Sequence, residues 1–352
     1  MNLRNINLKS FFQRPITLDK IIFYISFCAF GAFVFFLFWF NSSFEVVNSG
    51  NNSDQVIQGN VSSLTGESCE KYNKRPVAIM MAADPSARPL TGISQADMIF
   101  EMPVTPGAIP RFMAVFQCGS PKEIGSIRSA REDFVPLAAG LGALYAHWGG
   151  ERDALEKLNS KIIENIDALK YDGTVFYRKK GVKPPHNGFT TLDNIYGVSE
   201  KLNYSLENKF EGYPRDNKNE TSKSLSNISN VIDINYPEPY NVRWVYDSQT
   251  SSYKRYRGGE PEIDKEIGNQ VSVPVVVVME TRSKDLNKDY IAVETKGSGP
   301  VKIYQGGFYT SGTWKKNSDG ISGKLYFYDD KNNEIKLRTG KIWIQIKTEK
   351  IL

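Results

Sequence analysis

A chain of 352 residues with 40% apolar and 24% charged side chains has the composition of a folded protein rather than a disordered one, and its length suits two units. The formal charge of +5 hints at an anionic partner, yet residues 41–352 hold 40 basic against 38 acidic side chains. A generally basic surface for nucleic acid finds no support, so any anion site must come from a local cluster.

Residues 1–20 carry Arg4, Lys9, Arg14 and Lys20 and precede "IIFYISFCAFGAFVFFLFWF", residues 21–40, an uncharged run of the length a helix needs to cross a bilayer. No Lys or Arg follows until Lys71, so the positive-inside rule places residues 1–20 in the cytoplasm and the rest outside. The run is too long for the apolar part of a signal peptide and ends without a small-x-small cleavage pattern, which favours an uncleaved anchor. Cys28 sits within the run, where a buried thiol is expected. Residues 41–74, rich in Asn, Ser and Gly, read as a tether. Cys69 and Cys118 are the other cysteines, and the sequence leaves open whether they form one disulfide or stay as two idle thiols.

Residues 75–205 alternate strand and helix signals. "RPVAIMMA", "DMIFEM" and "RFMAVFQ" read as strands; "EDFVPLAAGLGALYAHWG" reads as a helix followed by a strand into His147; "ERDALEKLNSKIIENI" reads as a helix. Residues 206–230 are polar and broken by Gly and Pro, marking a boundary. Residues 231–352 turn to β: "NVRWVYD", "SYKRYR", "VPVVVVME", "IAVET", "VKIYQGGFYTSGTW", "KLYFYDDKNNEIKL" and "KIWIQIK". "VPVVVVME" is apolar on both faces, as a buried strand returning to the first sheet would be. The expected fold is an α/β N-terminal sandwich with a β-rich C-terminal part, preceded by one transmembrane helix.

Polar groups embedded in these apolar elements are the candidates for chemistry. The period of two in "ADMIFE" puts Asp97 and Glu101 on one face. Arg88, Arg111, Arg128 and Arg131 fall near the ends of the same elements. A helix starting at Ser126 would add free N–H groups to the two guanidiniums of "SIRSAR", an anion clamp. The alternative is a buried network in which Asp97, Glu101, Glu132 and Asp133 neutralise the arginines. Ser126 and Ser129 read as helix caps before nucleophiles. The two histidines, His147 in "AHWGG" and His186 in "PPHNGF" beside Asn187, would border the pocket. Asp97 and Glu101 would orient the arginines or hold a cation. No cysteine or histidine spacing indicates a metal site, and no cofactor motif is present.

The ordered motifs "RPVAIMMAADPSARPLTGISQADMIFE", "RFMAVFQ", "GSIRSAREDF", "HWGG", "YDGTVFYR", "PPHNGF" and "GKIWIQI" resemble the YerB-like family of bacterial envelope lipoproteins, from about Leu64 to the C-terminus. The resemblance implies an extracytoplasmic protein with a separate C-terminal part, and it implies no settled activity. Here a membrane run stands where the family carries its lipid-bearing cysteine. "SARPLTGISQAD" and "SIRSAR" are also similar in order and character to the LytR–CpsA–Psr phosphotransferases, but the "PRD" of that group is absent.

These observations together lead to an expected membrane-anchored envelope protein that binds an anionic wall precursor or polymer. Its expected partners are the membrane, through residues 21–40, that precursor or polymer, and a wall-synthesis protein, with no nucleic acid. If it is an enzyme, phosphoryl or glycosyl-phosphate transfer is the expected class, because such chemistry depends on positioning and charge stabilisation. Two alternatives stand beside it. One is a scaffold docking wall-synthesis proteins through exposed edges at "VKIYQGGFYTSGTW" or "KIWIQIK". The other is a carbohydrate-binding module using Trp148, Trp314 or Trp343.

Overall fold

The computed structural model describes residues 60–216, 228–317 and 319–350. The expected cytoplasmic tail, the membrane span and most of the tether lie outside the described residues. Among the described residues, no helix is long and apolar enough to cross a membrane.

The first half supplies β1 (Val77–Ala82), β2 (Met98–Pro103), β3 (Pro110–Phe116), β4 (Ile124–Gly125), β5 (Leu144–His147), β6 (Asn165–Asp167), β7 (Phe176–Arg178) and β8 (Gly188–Thr190). The second supplies β9 (Val231–Ile234), β10 (Val242–Asp247), β11 (Ser252–Arg257), β12 (Glu260–Pro261), β13 (Ser272–Val273), β14 (Val275–Asp285) and β15 (Ile291–Val293). It continues with β16 (Gly297–Gln305), β17 (Phe308–Lys316), β18 (Leu325–Tyr328) and β19 (Ile342–Lys350). The α-helices are short: α1 (Val135–Gly140), α2 (Arg152–Asn159), α3 (Ala168–Tyr171) and α4 (Leu192–Lys201).

Both halves build one 11-stranded sheet in the order β18-β17-β16-β14-β19-β2-β3-β1-β5-β6, with β15 added against β14. The seam between the halves is the parallel pair β19 and β2, in register from Ile342↔Met98 to Gln345↔Glu101. Strands such as "VAIMMA" and "VVVVM" are apolar at both parities because the sheet is buried on both sides. Ala78, Met80, Met113 and Val115 share one face with Phe134 and Leu137. Val77, Ile79, Phe112 and Ala114 share the other with Trp244 and Ile232 of the five-stranded sheet β9–β13 and with Ile195 of α4.

The expected α/β sandwich is therefore corrected to a β-rich, layered fold with few helices. The helix predicted through Ile166 stops at Asn159, where Lys161 adopts φ +59° and the chain turns into β6. The segment after Ser126 is also not a helix. Ala82 N–H donates to Ser126 O and Arg128 N–H to Met80 O, so these residues run beside β1 and spend their backbone groups on it. "KIWIQIK" is a central strand and not an exposed edge. Trp314 and Trp343 are buried, which removes both from any sugar-binding face. Cys69 and Cys118 form a disulfide, tying the first described segment to the turn after β3.

A buried ion network joins the two large sheets. Glu101 of β2 accepts from Arg255 Nη2 at 2.6 Å and from Trp343 Nε1 at 3.0 Å, and also pairs with Arg257. Glu262 closes the network by pairing with both arginines. Burial alone would raise the Glu262 carboxyl, but Arg257 and Arg255 pull it down to about 2. The Arg255 guanidinium also lies 4.1 Å from the Trp343 ring centre and 4.8 Å from that of Trp244.

Removing Glu101 leaves two buried guanidiniums to a single carboxylate. Glu101→Ala is therefore expected to lower unfolding free energy by about 3–5 kcal/mol, read by denaturant titration. A second expectation concerns Asp133, whose carboxylate accepts the Val293 N–H at 2.9 Å and holds β15 in place. Burial, then Glu151 and Glu132, push its carboxyl up to about 7. The folded state then holds a proton that the unfolded state releases near the ordinary aspartate value, so stability falls as pH rises from about 4 to about 7 and stays lower above that. Asp133→Asn should remove this slope, gaining on wild type by on the order of 3 kcal/mol between pH 4.5 and pH 8 in matched denaturation curves.

Candidate functional site

β1 and β5 run parallel and in register only from Val77↔Leu144 to Ile79↔Ala146. Beyond that point they part, and residues 126–131 fill the gap. Ile127 bridges to Met81, Trp148 N–H donates to Arg128 O, and Ala130 N–H donates to Gly149 O. This crossing lays Arg128 and Arg131 over the carboxyl end of β1, where ligands commonly meet sheets with parallel strands. β3 runs antiparallel on the other side of β1 and brings Arg111 opposite Ala82.

Strand parity decides which charges meet. Across the β2–β3 pair, Glu101 faces Phe112 and Met102 faces Arg111. Arg111 thus lies on the side of Met113 and Val115, while Glu101 points to the opposite face and its own arginines. Arg111 is 4% exposed, and its Nε and Nη1 have no hydrogen-bond partner. Burial first, then Arg131 and Arg128, push its pKa down to about 9, with Asp84 opposing. It stays protonated at neutral pH.

Arg128 Nε and Arg131 Nε are also buried without partners. Arg128 Nη1 donates to Pro185 O at 3.4 Å, and Arg131 Nη1 donates to Ala130 O at 2.8 Å. Arg131 stacks 4.9 Å from the centre of the Tyr290 ring and lies 3.8 Å from Glu151, which offsets part of its charge. At the rim, Asp84 Oδ2, Ser126 Oγ and His186 Nδ1 are likewise buried and unsatisfied. His186 Nε2 lies 2.8 Å from Ser86 Oγ.

The structure thus brings Arg111, Arg128, Arg131 and His186 to one place. Arg88 lies apart from this trio: Nη2 donates to Ala83 O at 3.0 Å, and the charges acting on it are those of Arg257, Glu262, Arg255 and Glu101. Asp97 takes no part. Its Oδ2 accepts from the N–H groups of Gln117, Cys118 and Gly119 at 2.6, 2.9 and 3.0 Å, which fixes the turn after β3. Glu101 belongs to the buried network. His147 is fully buried, with Nδ1 2.7 Å from Gly149 O and Nε2 3.2 Å from Asn165 Oδ1, so both nitrogens are occupied. Asn187 Oδ1 accepts from Arg178 Nη1 at 3.2 Å, steadying a guanidinium that lies 4.4 Å from the Trp148 ring centre. Among the described residues, no group of three His, Cys, Asp or Glu side chains is placed to hold a metal ion.

Sequence reasoning missed Arg255, Arg257 and Glu262. The signal was present: alternation in "SYKRYR" places Tyr253, Arg255 and Arg257 on one face, and all three are buried. It also passed over Asp84 and Ser86, which carried no pattern of their own. A separate groove on the far part of the sheet pairs Arg282 with Glu294 and Lys347 with Glu280, and is also lined by Glu349.

The fold and its two sequence parts define the class. Residues 64–205 match the N-terminal domain of a family described as a protein of unknown function (DUF3048), and residues 232–344 match the C-terminal domain of the same family. The chain belongs to this family, that of the YerB-like proteins. It is 31% identical over 301 residues to "Putative lipoprotein YerB" of Bacillus subtilis (strain 168), covering 80% of this chain and 85% of the relative. The crystal structure of the YerB protein from Bacillus subtilis aligns with a TM-score of 0.73 at 28% identity, covering 82% of this chain and 96% of that one. The secondary resemblance to LytR–CpsA–Psr phosphotransferases finds no support in these comparisons.

A buried guanidinium without an acceptor destabilises the empty protein. Arg111→Met is accordingly expected to raise ligand-free stability by about 1–4 kcal/mol in denaturant titrations, whereas an arginine that braces the fold would give a loss.

Proposed function

We propose that this chain is a membrane-anchored protein of the cell envelope, with its main domain outside the cytoplasm, that binds an oxyanionic wall precursor or polymer through Arg111, Arg128 and Arg131. The observation that carries the reading is the pair of buried, unpartnered Arg111 nitrogens beside Arg128, whose Nε makes no hydrogen bond, and Arg131, whose Nε has only the 3.8 Å ion pair with Glu151. Three forks of this kind suit the several oxygens of a phosphate better than a single carboxylate. The part-exposed Arg128 and Arg131 give the ligand a way in. Envelope placement is supported by the relative's name as a lipoprotein, by the apolar run at residues 21–40 and by the Cys69–Cys118 disulfide, a bond suited to an oxidising exterior.

The test is calorimetric titration of the full chain, in detergent, with inorganic pyrophosphate and with a polyprenyl diphosphate. Replacing Arg128 and Arg131 together by Ala should weaken binding by about 100-fold or more, since each charge-assisted hydrogen bond contributes roughly 1.5–3 kcal/mol. Equal affinity in wild type and the double variant would remove the proposal.

A further inference from the structure

Ser86 and His186 meet at the rim of the arginine cluster, and the proposed function uses neither. Ser86 lies in the turn Pro85–Ala87 that follows β1 and is exposed to solvent. His186 comes from the loop before β8, is 8% exposed, and places Nε2 2.8 Å from Ser86 Oγ. Its other ring nitrogen, Nδ1, is buried with no partner. Asp84, two residues before Ser86, carries a buried and unpartnered Oδ2. A hydroxyl against an imidazole, with a spare acceptor carboxylate nearby, is the set of groups that activates a serine.

We infer that Ser86 is a nucleophile toward phosphodiesters, with His186 as its general base and Asp84 as the positioning residue, which acts on the imidazole through its charge rather than through a hydrogen bond. The inference rests on the oxyanion reading, because the arginines select a phosphoryl centre over an acyl one. Arg128 bonds the carbonyl of Pro185, directly before His186, so its guanidinium lies beside the base. Arg111 and Arg128 also act electrostatically on the same imidazole. In the step, the Ser86 Oγ–P bond forms and the P–O bond to the leaving alcohol breaks. The Ser86 proton passes to His186 Nε2 and then to the leaving oxygen. Water, deprotonated by His186, attacks the phosphoserine and restores the hydroxyl with release of a phosphomonoester. The guanidiniums hold the equatorial oxygens, where charge stabilisation matters most. Burial, then Arg128 and Arg111, lower the His186 pKa against the opposing pull of Asp84. The imidazole is therefore neutral and ready to accept a proton at pH 7.

The experiment uses the full chain in detergent with three readouts: labelling by a fluorophosphonate probe, hydrolysis of bis(p-nitrophenyl) phosphate, and binding of inorganic phosphate. Wild type should be labelled on the peptide containing Ser86 and should turn over the diester. Ser86→Ala should lose both, and His186→Gln should lose about 100-fold or more of each, while both bind phosphate within about threefold of wild type. Asp84→Asn should retain labelling at a reduced rate and move the rising limb of the pH–rate profile to lower pH, a change that loss of packing would not produce. If wild type binds phosphate but is neither labelled nor active, or is no more active than Ser86→Ala, the nucleophile is overturned and the oxyanion site stands. If no phosphate binds, both readings fall.

Discussion

The placement of Glu101 fixes how the central sheet meets the second one. It projects from the central sheet into a layer of aromatic rings and meets Arg255 and Arg257 of the second sheet, with Glu262 completing the set. Two consequences follow. The layers are locked at one register, since a strand slip by one residue would turn Glu101 to the wrong face. The carboxylate nearest in sequence to Arg111 is also spent elsewhere. Asp97 is spent as well, on three backbone N–H groups. Asp167 is spent likewise, on those of Gly149 and Leu169. Neither Glu101 nor Asp97 therefore offsets the positive charge at the end of β1, which meets only Glu151, 3.8 Å from Arg131, and the more distant charge of Asp84.

The same region depends on both halves of the chain. Its floor comes from β1, β3 and the crossing segment 126–131. Arg88, held to Ala83 O, also reaches Pro239 O, and its guanidinium lies 6.0 Å from the Tyr240 ring centre, so the second half borders the same edge. Asp84, Arg88, Arg257 and Arg111 all act on the Tyr240 hydroxyl. The two matched family domains are thus not independent modules: they share a sheet through β2 and β19, and their polar networks meet around Asp84 and Arg88.

Most strands were legible because their signals are local. Apolar runs such as "VAIMMA" and "RFMAVF" have one reading at any position in a sheet. Two helical readings failed because a short-range pattern was overridden: one at Lys161, where the backbone turns left-handed, and one at Ser126, where β1 offered a better set of acceptors than a new helix could. The positions of Arg111, Arg128 and Arg131 at element ends were legible in the sequence. Their freedom from Glu101 was not, because it depends on which residue of β2 faces which residue of β3. That register is a long-range property, and so is the meeting of Ser86 with His186, a hundred positions apart. Arg255 and Arg257 were readable in principle, since two arginines at alternate positions of a strand beside Tyr253 require a buried acid.

Three guanidiniums stand together here with one close carboxylate, Glu151 at 3.8 Å from Arg131. At close range, two like charges near a protein surface repel by about 4 kcal/mol, and burial adds a desolvation cost that no internal bond at Arg111 offsets. An internal carboxylate would have removed that cost, and Asp84, within electrostatic reach of Arg111, makes no bond to it. The proposed oxyanion, whose oxygens are many and whose charge is high, would offset that cost from outside. Its edge carries a serine and a neutral imidazole in contact, so an anion held by the arginines would sit beside a hydroxyl that can attack it.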